Sequence, residues 1–310
     1  MAIAHATDGD GQFDIQRFGT EGMEHLFPLW LLKYLPNMLA CHISIIHDAQ
    51  GPSNTITTAC VAGSQAIGEG CRIIDRGAAD VMICGGADSK INPISLVRYS
   101  LFSELAKNNA HPEKACRPFD RDRDGFVVGE GAGILVLEEL EHAKKRGARI
   151  YGEIAGYGMS CDAEAALRGA RTGATRAACL RAALADGELT AKDVDYISAC
   201  GLGSRENDRI EAEAIREVLG PRAPDVLVSS VKSMIGHLGA GAGAVELIAA
   251  LLALRHGVAP PTRNCDNPEE GLGLNIVANE AREAKINVAL CNTASFAGQN
   301  AALAIKKYEN

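Results

Sequence analysis

Aromatic residues are scarce in this chain: seven Phe, six Tyr and one Trp among 310 residues, 5% in all. A large core must therefore come from aliphatic and small side chains, and a 47% hydrophobic content supplies them. No apolar run reaches the ~18 to 20 residues that a membrane-crossing helix needs, so no membrane partner is expected. No basic block is present either. Lys and Arg total 31 against 39 Asp and Glu, a formal charge of −8, which argues against nucleic acid as a partner. The start, "MAIAHATDGDGQFD", lacks the basic head and apolar centre of a signal peptide, and the expected location is cytoplasmic. None of the ten cysteines forms a C-x-x-C pair, and most lie in apolar or Ala-rich stretches such as "VMICGGAD" and "TRAACLRAAL". They read as buried free thiols of a reducing compartment.

What is present is an alternation of short apolar runs and helical patterns, the signature of an α/β fold with largely buried strands. Strands are expected at 80–86, 133–139, 149–158, 195–199, 225–230, 287–292 and 301–307. Helices are expected after Cys60 and over roughly 138–146, 174–185, 206–219 and 240–256. No tandem repeat and no low-complexity linker divides the chain. The stretches around Cys60 and Cys200 share a layout of strand, small-residue turn and helix, which hints at two similar halves. Residues 1–28 are polar and Gly-rich and read as an irregular segment, while 29–48 is apolar and reads as a helix entered or bent at Pro36. The division expected is 1–28, then 29–150 carrying Cys60, then 151–310 carrying Lys232 and His237.

Two motifs resemble ligand sites and fall short. "DRDRDGFVVGE" places Asp120, Asp122, Asp124 and Gly125 at calcium-loop offsets, but the twelfth position is Gly131, with Glu130 one residue early. Charged turn residues are the better reading, and no metal is expected. "GHLGAGAGAVE" (236–246) has a glycine spacing like that of dinucleotide-binding loops, without a βαβ unit and downstream acid to support it. Close packing at a helix start explains it better.

A third constellation carries chemistry. In "TITTACVAGSQAIGEGCRIIDRG" a β-branched run, Thr55 to Thr58, leads into Cys60 and then a helical pattern. A thiol raised on such a turn faces helix amides that favour a thiolate. Gly63, Ser64, Ala66 and Gly68 keep the helix thin, so that a long substrate or a neighbouring helix can approach. A cysteine nucleophile also needs proton transfer and a site for oxyanion charge. "VSSVKSMIGHLGAGAGAVELIAALLAL" offers Lys232, His237 and Glu246 for that.

With "GPSNTITTACVAGSQAIG", "PFDRDRDGFVVGEGAGILVLEELEHAKKRGARIY" and "VSSVKSMIGHLGAGAGAVE" together, the chain from about residue 29 onward closely resembles the elongating, type II β-ketoacyl-acyl carrier protein synthases. The resemblance implies a thiolase-like five-layered αβαβα fold, here with an incomplete N-terminal half. It implies a homodimer, or a heterodimer with a second ketosynthase-like chain, and an acyl carrier protein as partner. The implied reaction moves an acyl group from phosphopantetheine to Cys60. A malonyl extender then decarboxylates and attacks that thioester, with no resident cofactor. On this resemblance Cys60 is the nucleophile, with its own amide in the oxyanion hole, and His237 polarises the malonyl carbonyl. Lys232 and Glu246 support it, and Phe296 gates the acyl pocket.

The chain also departs from the family. Where members carry A-H-G-T-x-T, this sequence reads "ACGLGS": Cys200 stands for a catalytic histidine, and Leu202 and Ser204 stand for two phosphopantetheine-binding threonines. Leu202 cannot hydrogen-bond, Ser204 can, and a thiol replaces imidazole poorly. The loop F-G-F-G-G-x-N becomes "ASFAGQN", with side chains where glycines are usual. The family's first strands and helices have no counterpart here, which leaves a mis-called start, gene decay or a specialised subunit as explanations. Three activities follow: a working condensing enzyme, a transacylase or thioesterase that decarboxylates poorly, or a non-catalytic partner like a chain-length factor. The retained Cys60 speaks against the last.

Overall fold

The computed structural model describes residues 2–102, 105–163, 172–296 and 298–309. The chain divides into two compact units, Met1–Thr55 and Ile56–Asn310.

In the first unit the segment read as irregular forms short helices at Ala2–His5 and Ile15–Thr20 and a 3-10 turn at Gly22–His25. Asp14 caps the second of them, its carboxylate accepting the N–H groups of Gln16 and Arg17. Pro36 ends one segment and does not sit inside a helix: a 3-10 turn, Trp30–Lys33, precedes it and the helix Met38–Ile46 follows.

The second unit holds the seven strands expected from the apolar runs: β1 Val81–Ser89, β2 Glu130–Glu138, β3 Glu153–Cys161, β4 Tyr196–Ser198, β5 Leu227–Ser229, then β9 Val288–Ala294 and β10 Gln299–Lys306. Three two-residue strands lie between β5 and β9: β6 Val258–Ala259, β7 Asn275–Ile276 and β8 Arg282–Glu283. Its helices are α1 Ala62–Asp75, α2 Pro93–Phe102, α3 Leu140–Lys145, α4 Ala174–Asp186, α5 Arg205–Leu219, α6 Lys232–Ile235 and α7 Ala242–His256. The central sheet runs β3-β10-β9-β4-β5-β7. Its β9, β4, β5 and β7 are mutually parallel, and β10 is antiparallel to both neighbours.

This sheet is apolar on both faces, as a parallel core requires. One face meets α4 and α5 through Leu180, Leu184, Ile215, Ile197 and Val228. The other meets α1 and α7 through Ile67, Leu247, Leu254 and Leu303. The antiparallel pair β1–β2 packs on the far side of those helices, with Met82, Cys84, Leu135 and Leu137 turned inward. Four layers of the αβαβα arrangement are thus stacked in this unit. The N-terminal sheet among the described residues is β1 and β2 alone, and Val81, Ile83, Ile134 and Val136 on its outer face are exposed.

The sequence pattern needs two corrections. The run Thr55–Thr58 forms no strand and pairs with none among the described residues, and Thr58, at φ −116 and ψ 35, has already left the extended region. The stretch Gly239–His256 has the length and composition to cross a membrane, contrary to the sequence expectation. It is 61% buried, as a core helix.

Candidate active site

Cys60 sits in a 3-10 turn, Ala59–Val61, one step before α1. Ala59 carries φ +53, a left-handed conformation that alanine adopts only under constraint, and it turns the chain sharply at the thiol. Gly63 and Gly68 make room for neighbouring elements. A Cβ on Gly63 would lie 2.7 Å from the Ala240 carbonyl oxygen, and one on Gly68 would enter the Tyr157 ring. Of the two readings of the thin helix, the packing one describes these glycines.

His237 is fixed by its backbone. Its N–H donates to the Val127 carbonyl at 2.8 Å, and its carbonyl accepts the Gly129 N–H at 2.9 Å. Gly236 and Gly239 on either side have φ +73 and +55, and a Cβ on Gly239 would strike the Asp88 carboxylate, which accepts the Ala240 N–H. The result places Nε2 of His237 3.2 Å from Sγ of Cys60, with both side chains buried. Nδ1 has no partner among the described residues. An unpaired buried lone pair costs less than an unpaired N–H, which puts the ring proton on Nε2, facing the thiol.

Behind this pair, Lys232 and Glu246 form a fully buried ion pair. Lys232 Nζ also donates to the Cys200 carbonyl at 2.8 Å and lies 3.8 Å from the Cys200 sulfur. Burial opposes the charge on Lys232, but Cys200 and Glu246 outweigh it and hold the ammonium above its ordinary range. Burial lifts Glu246 as well, against the pull of Lys232, and the proton of the pair resides on lysine, the stronger base. Burial, then Lys232, holds His237 down to about 3, so the ring is neutral.

Burial, reinforced by Cys200, pushes the Cys60 thiol up to about 12, while Lys232 and the Phe296 backbone N–H pull the other way. Against the sequence expectation of a thiolate favoured by the helix start stands this burial, at a thiol one residue before the cap of α1.

Cys200 follows β4 and leads into α5, the same strand–turn–helix layout expected from the sequence. Its backbone is clamped by α5. Glu211 accepts the N–H groups of Cys200 and Gly201, each at 2.7 Å, and Asp208 accepts those of Leu202 and Gly203. Asp208 also pairs with the fully buried Arg123. Leu202 and Ser204 are both buried beside this clamp.

Phe296 is partly exposed and stands over His237, ring centroids 5.9 Å apart. In its loop, Ser295 keeps an ordinary φ and Gly298 takes φ +84; the alanine expected to stiffen that loop, residue 297, lies outside the described residues. The calcium-like acids act as turn residues: Asp120 accepts the N–H groups of Asp122 and Asn267, and Asp124 that of Lys107. Among the described residues no group of three or more His, Cys, Asp or Glu is arranged to hold a metal.

The structure thus brings Cys60, His237, Lys232, Glu246, Cys200 and Phe296 to one region. The sequence reading missed Phe126, Tyr99, Asp88, Asp208, Glu211 and Cys116, whose thiol donates to the Lys232 carbonyl at 3.1 Å. Phe126 lies inside the stretch "DRDRDGFVVGE" and Asp88 closes the stretch "VMICGGAD".

Known proteins resemble this chain along most of its length. The beta-ketoacyl synthase N-terminal domain matches residues 6–143 and its C-terminal domain residues 151–266. The 3-oxoacyl-[acyl-carrier-protein] synthase 2 of Rhizobium meliloti (strain 1021) is 45% identical over 289 residues, 93% of this chain and 68% of that protein. The tetracenomycin polyketide synthase ketoacyl synthase alpha subunit of Streptomyces glaucescens is 40% identical, covering 94% and 67%. A solved type II polyketide synthase acyl-carrier protein in complex with its ketosynthase, bound to the hexaketide, superposes with TM-score 0.89 at 30% identity, covering 99% of this chain and 74% of that one. The ishigamide ketosynthase/chain length factor superposes with TM-score 0.86 at 37% identity, covering 95% and 70%.

Proposed function

Because the chain belongs to the β-ketoacyl synthase family, we propose that it forms carbon–carbon bonds in fatty acid or polyketide synthesis, with Cys60 as its acyl-carrying nucleophile. The observation that carries this is the 3.2 Å approach of His237 Nε2 to the Cys60 sulfur, backed by the Lys232–Glu246 pair. In the first half-reaction the Cys60 sulfur attacks the thioester of an acyl group on a carrier protein, and its proton passes to the carrier sulfur, which leaves as a thiol. The amides of Cys60 and Phe296 are the donors proposed for the tetrahedral oxyanion. In the second, a malonyl thioester loses CO2 and its carbanion attacks the Cys60 thioester. The β-ketoacyl group leaves on the carrier, and the Cys60 thiolate released takes a proton from water. His237, neutral with its proton on Nε2, donates to the malonyl carbonyl as negative charge builds there.

Cys200 is the weak point of this proposal. A buried thiol donates poorly, so the decarboxylation step has one good donor in place of two. The proposed partners are a carrier protein, which delivers both acyl groups so that no resident cofactor is needed, and a second ketosynthase-like chain. Similarity to a ketosynthase solved with its carrier and to a ketosynthase/chain length factor supports both. Ten free thiols fit a cytoplasmic site of action.

Intact-protein mass spectrometry after incubation with acyl carrier protein or acyl-CoA tests the proposal, with Cys60→Ala in parallel. One acyl adduct that disappears in Cys60→Ala is expected. Cys200→His is expected to raise malonyl decarboxylation roughly ten-fold or more without changing acyl loading. Brisk decarboxylation by the unmodified chain, unaltered by that substitution, would contradict the role given to Cys200. A folded chain that takes no adduct at any chain length would favour the non-catalytic partner.

A further inference from the structure

The proposed reaction makes little use of the Cys200 thiol, and this thiol lies against a second nucleophile. Its sulfur is 3.8 Å from Nζ of Lys232, and its own carbonyl oxygen accepts a hydrogen bond from that same Nζ at 2.8 Å. Neither group can retreat. Glu211 accepts the N–H groups of Cys200 and Gly201 at 2.7 Å each, and Glu246 pairs with the lysine from the other side. Both side chains are fully buried, so little water competes for either. Burial opposes a thiolate at Cys200, and Lys232 is the first of the groups that favour one. Cys60, by contrast, faces His237 at 3.2 Å. A space that receives a thioester at Cys60 also admits a molecule as small as hydrogen peroxide.

We propose that Cys200 and Lys232 form a peroxide-responsive modification site, closed by a covalent N–S bond between the two side chains. The Cys200 sulfur attacks one oxygen of the peroxide, the O–O bond breaks, and a sulfenic acid and water result. Sulfur gives up two electrons and the peroxide takes them. Lys232 then passes one proton to Glu246, and its freed lone pair attacks the sulfenic sulfur. The sulfenic oxygen leaves as water with a second proton of the amine. In all, one thiol, one ammonium, one carboxylate and one hydrogen peroxide give one sulfenamide, one carboxylic acid and two waters. Two equivalents of a small thiol reverse the link, returning thiol and amine and leaving a disulfide. While it lasts, the buried ammonium behind Cys60 and His237 is gone and turnover stops. The link stands whether or not Cys60 loads acyl groups; its effect on turnover rests on the function proposed above.

The test treats the full chain with equimolar hydrogen peroxide, then denatures it without reductant and digests it with trypsin. The expected result is an intact mass lower by about 2 Da, with cleavage after Lys232 lost in that fraction and the Cys200 peptide joined to the one bearing Lys232. Dithiothreitol is expected to restore all three. In Cys60→Ala the link should form as before, which separates it from a disulfide between Cys60 and Cys200. In Lys232→Arg, whose guanidinium stays protonated, the expected product is a Cys200 sulfenic acid that dimedone traps, with the melting temperature as a check on folding. A Cys200 peptide joined to that of Cys60, with normal cleavage after Lys232, would overturn the proposal. So would a Cys200 left reduced by peroxide that oxidises the exposed Cys161. A link formed in a chain that takes no acyl adduct would overturn Cys60 as the loading residue and leave the modification site standing.

Discussion

At the scale of single residues, the site is governed by desolvation. The thiol of Cys60 is pushed from 9.0 up to about 12 and the ring of His237 from 6.5 down to about 3, in both cases first by burial. Neither carries charge at rest, and the resting pair is neutral thiol against neutral imidazole. Alkylation by iodoacetamide follows the thiolate fraction. The rate at Cys60, read by peptide mapping to separate it from the exposed Cys161, is expected to climb about ten-fold per pH unit from 7 to 10 with no plateau near 9. A plateau below pH 9 would show that Lys232 and the helix start outweigh burial. Both shifts also act on stability. Between 9.0 and about 12 the folded chain keeps the Cys60 proton that the unfolded chain has lost, so this contribution falls as pH rises through that window. Between 6.5 and about 3 the unfolded chain takes up a proton that folded His237 refuses, so this one falls as pH drops.

At the scale of elements, the geometry depends on how closely α1 approaches the start of α7. Gly63 faces the Ala240 carbonyl and Ala244, and a Cβ on Gly243 would meet the Ser64 hydroxyl at 2.0 Å. Backbone lies on the far side of Gly63, so nothing there can swing away. Gly63→Val is expected to cost about 1–3 kcal/mol by overpacking, lowering the melting temperature, and to slow acyl loading by separating Cys60 from His237. Loading and melting unchanged from the parent chain would mean that the helices part freely. These elements were legible in the sequence because their signals are local. Short apolar runs marked all seven longer strands or their cores, and small residues marked the helix starts. The helix α2 was not legible, since "PISLVRYSLF" has no clean period. Thr55–Thr58 was misread for the opposite reason: its composition is that of a strand, but a strand also needs a neighbour. The chemistry a cysteine nucleophile needs suggested His237 as a partner for Cys60, and the family resemblance gave the two their separate roles. The aromatic cluster was invisible because Tyr99, Phe126 and Phe296 are brought together by folding alone.

At the scale of the whole molecule, the two sheets of the second unit are unequally furnished. In the central sheet β10 lies between β3 and β9, and β9 is paired in turn with β4. In the other sheet β1 and β2 pair only with each other, so each strand has an open edge among the described residues. Both faces of that pair are apolar, the pattern of strands meant for cover on two sides. The inner face has it from α1 and α7; on the outer face Ile83 sits directly across from Val136, and Val136 is 63% exposed. An uncovered apolar face flanked by open edges favours association between chains. Replacing Ile83 and Val136 together by lysine should therefore suppress light scattering at rising protein concentration. It should lower stability by about 1 kcal/mol in all, because Val136 is largely exposed while Ile83 is only 37% exposed and the two lysines would face each other across the pair. The corresponding change on the inner face, Leu135→Lys, should instead unfold the pair, since it would drive a charge between α7 and the sheet. If the outer substitutions lowered the melting temperature as much as the inner one, the outer face would be covered in solution, and the exposure of Val136 would belong to the isolated chain alone.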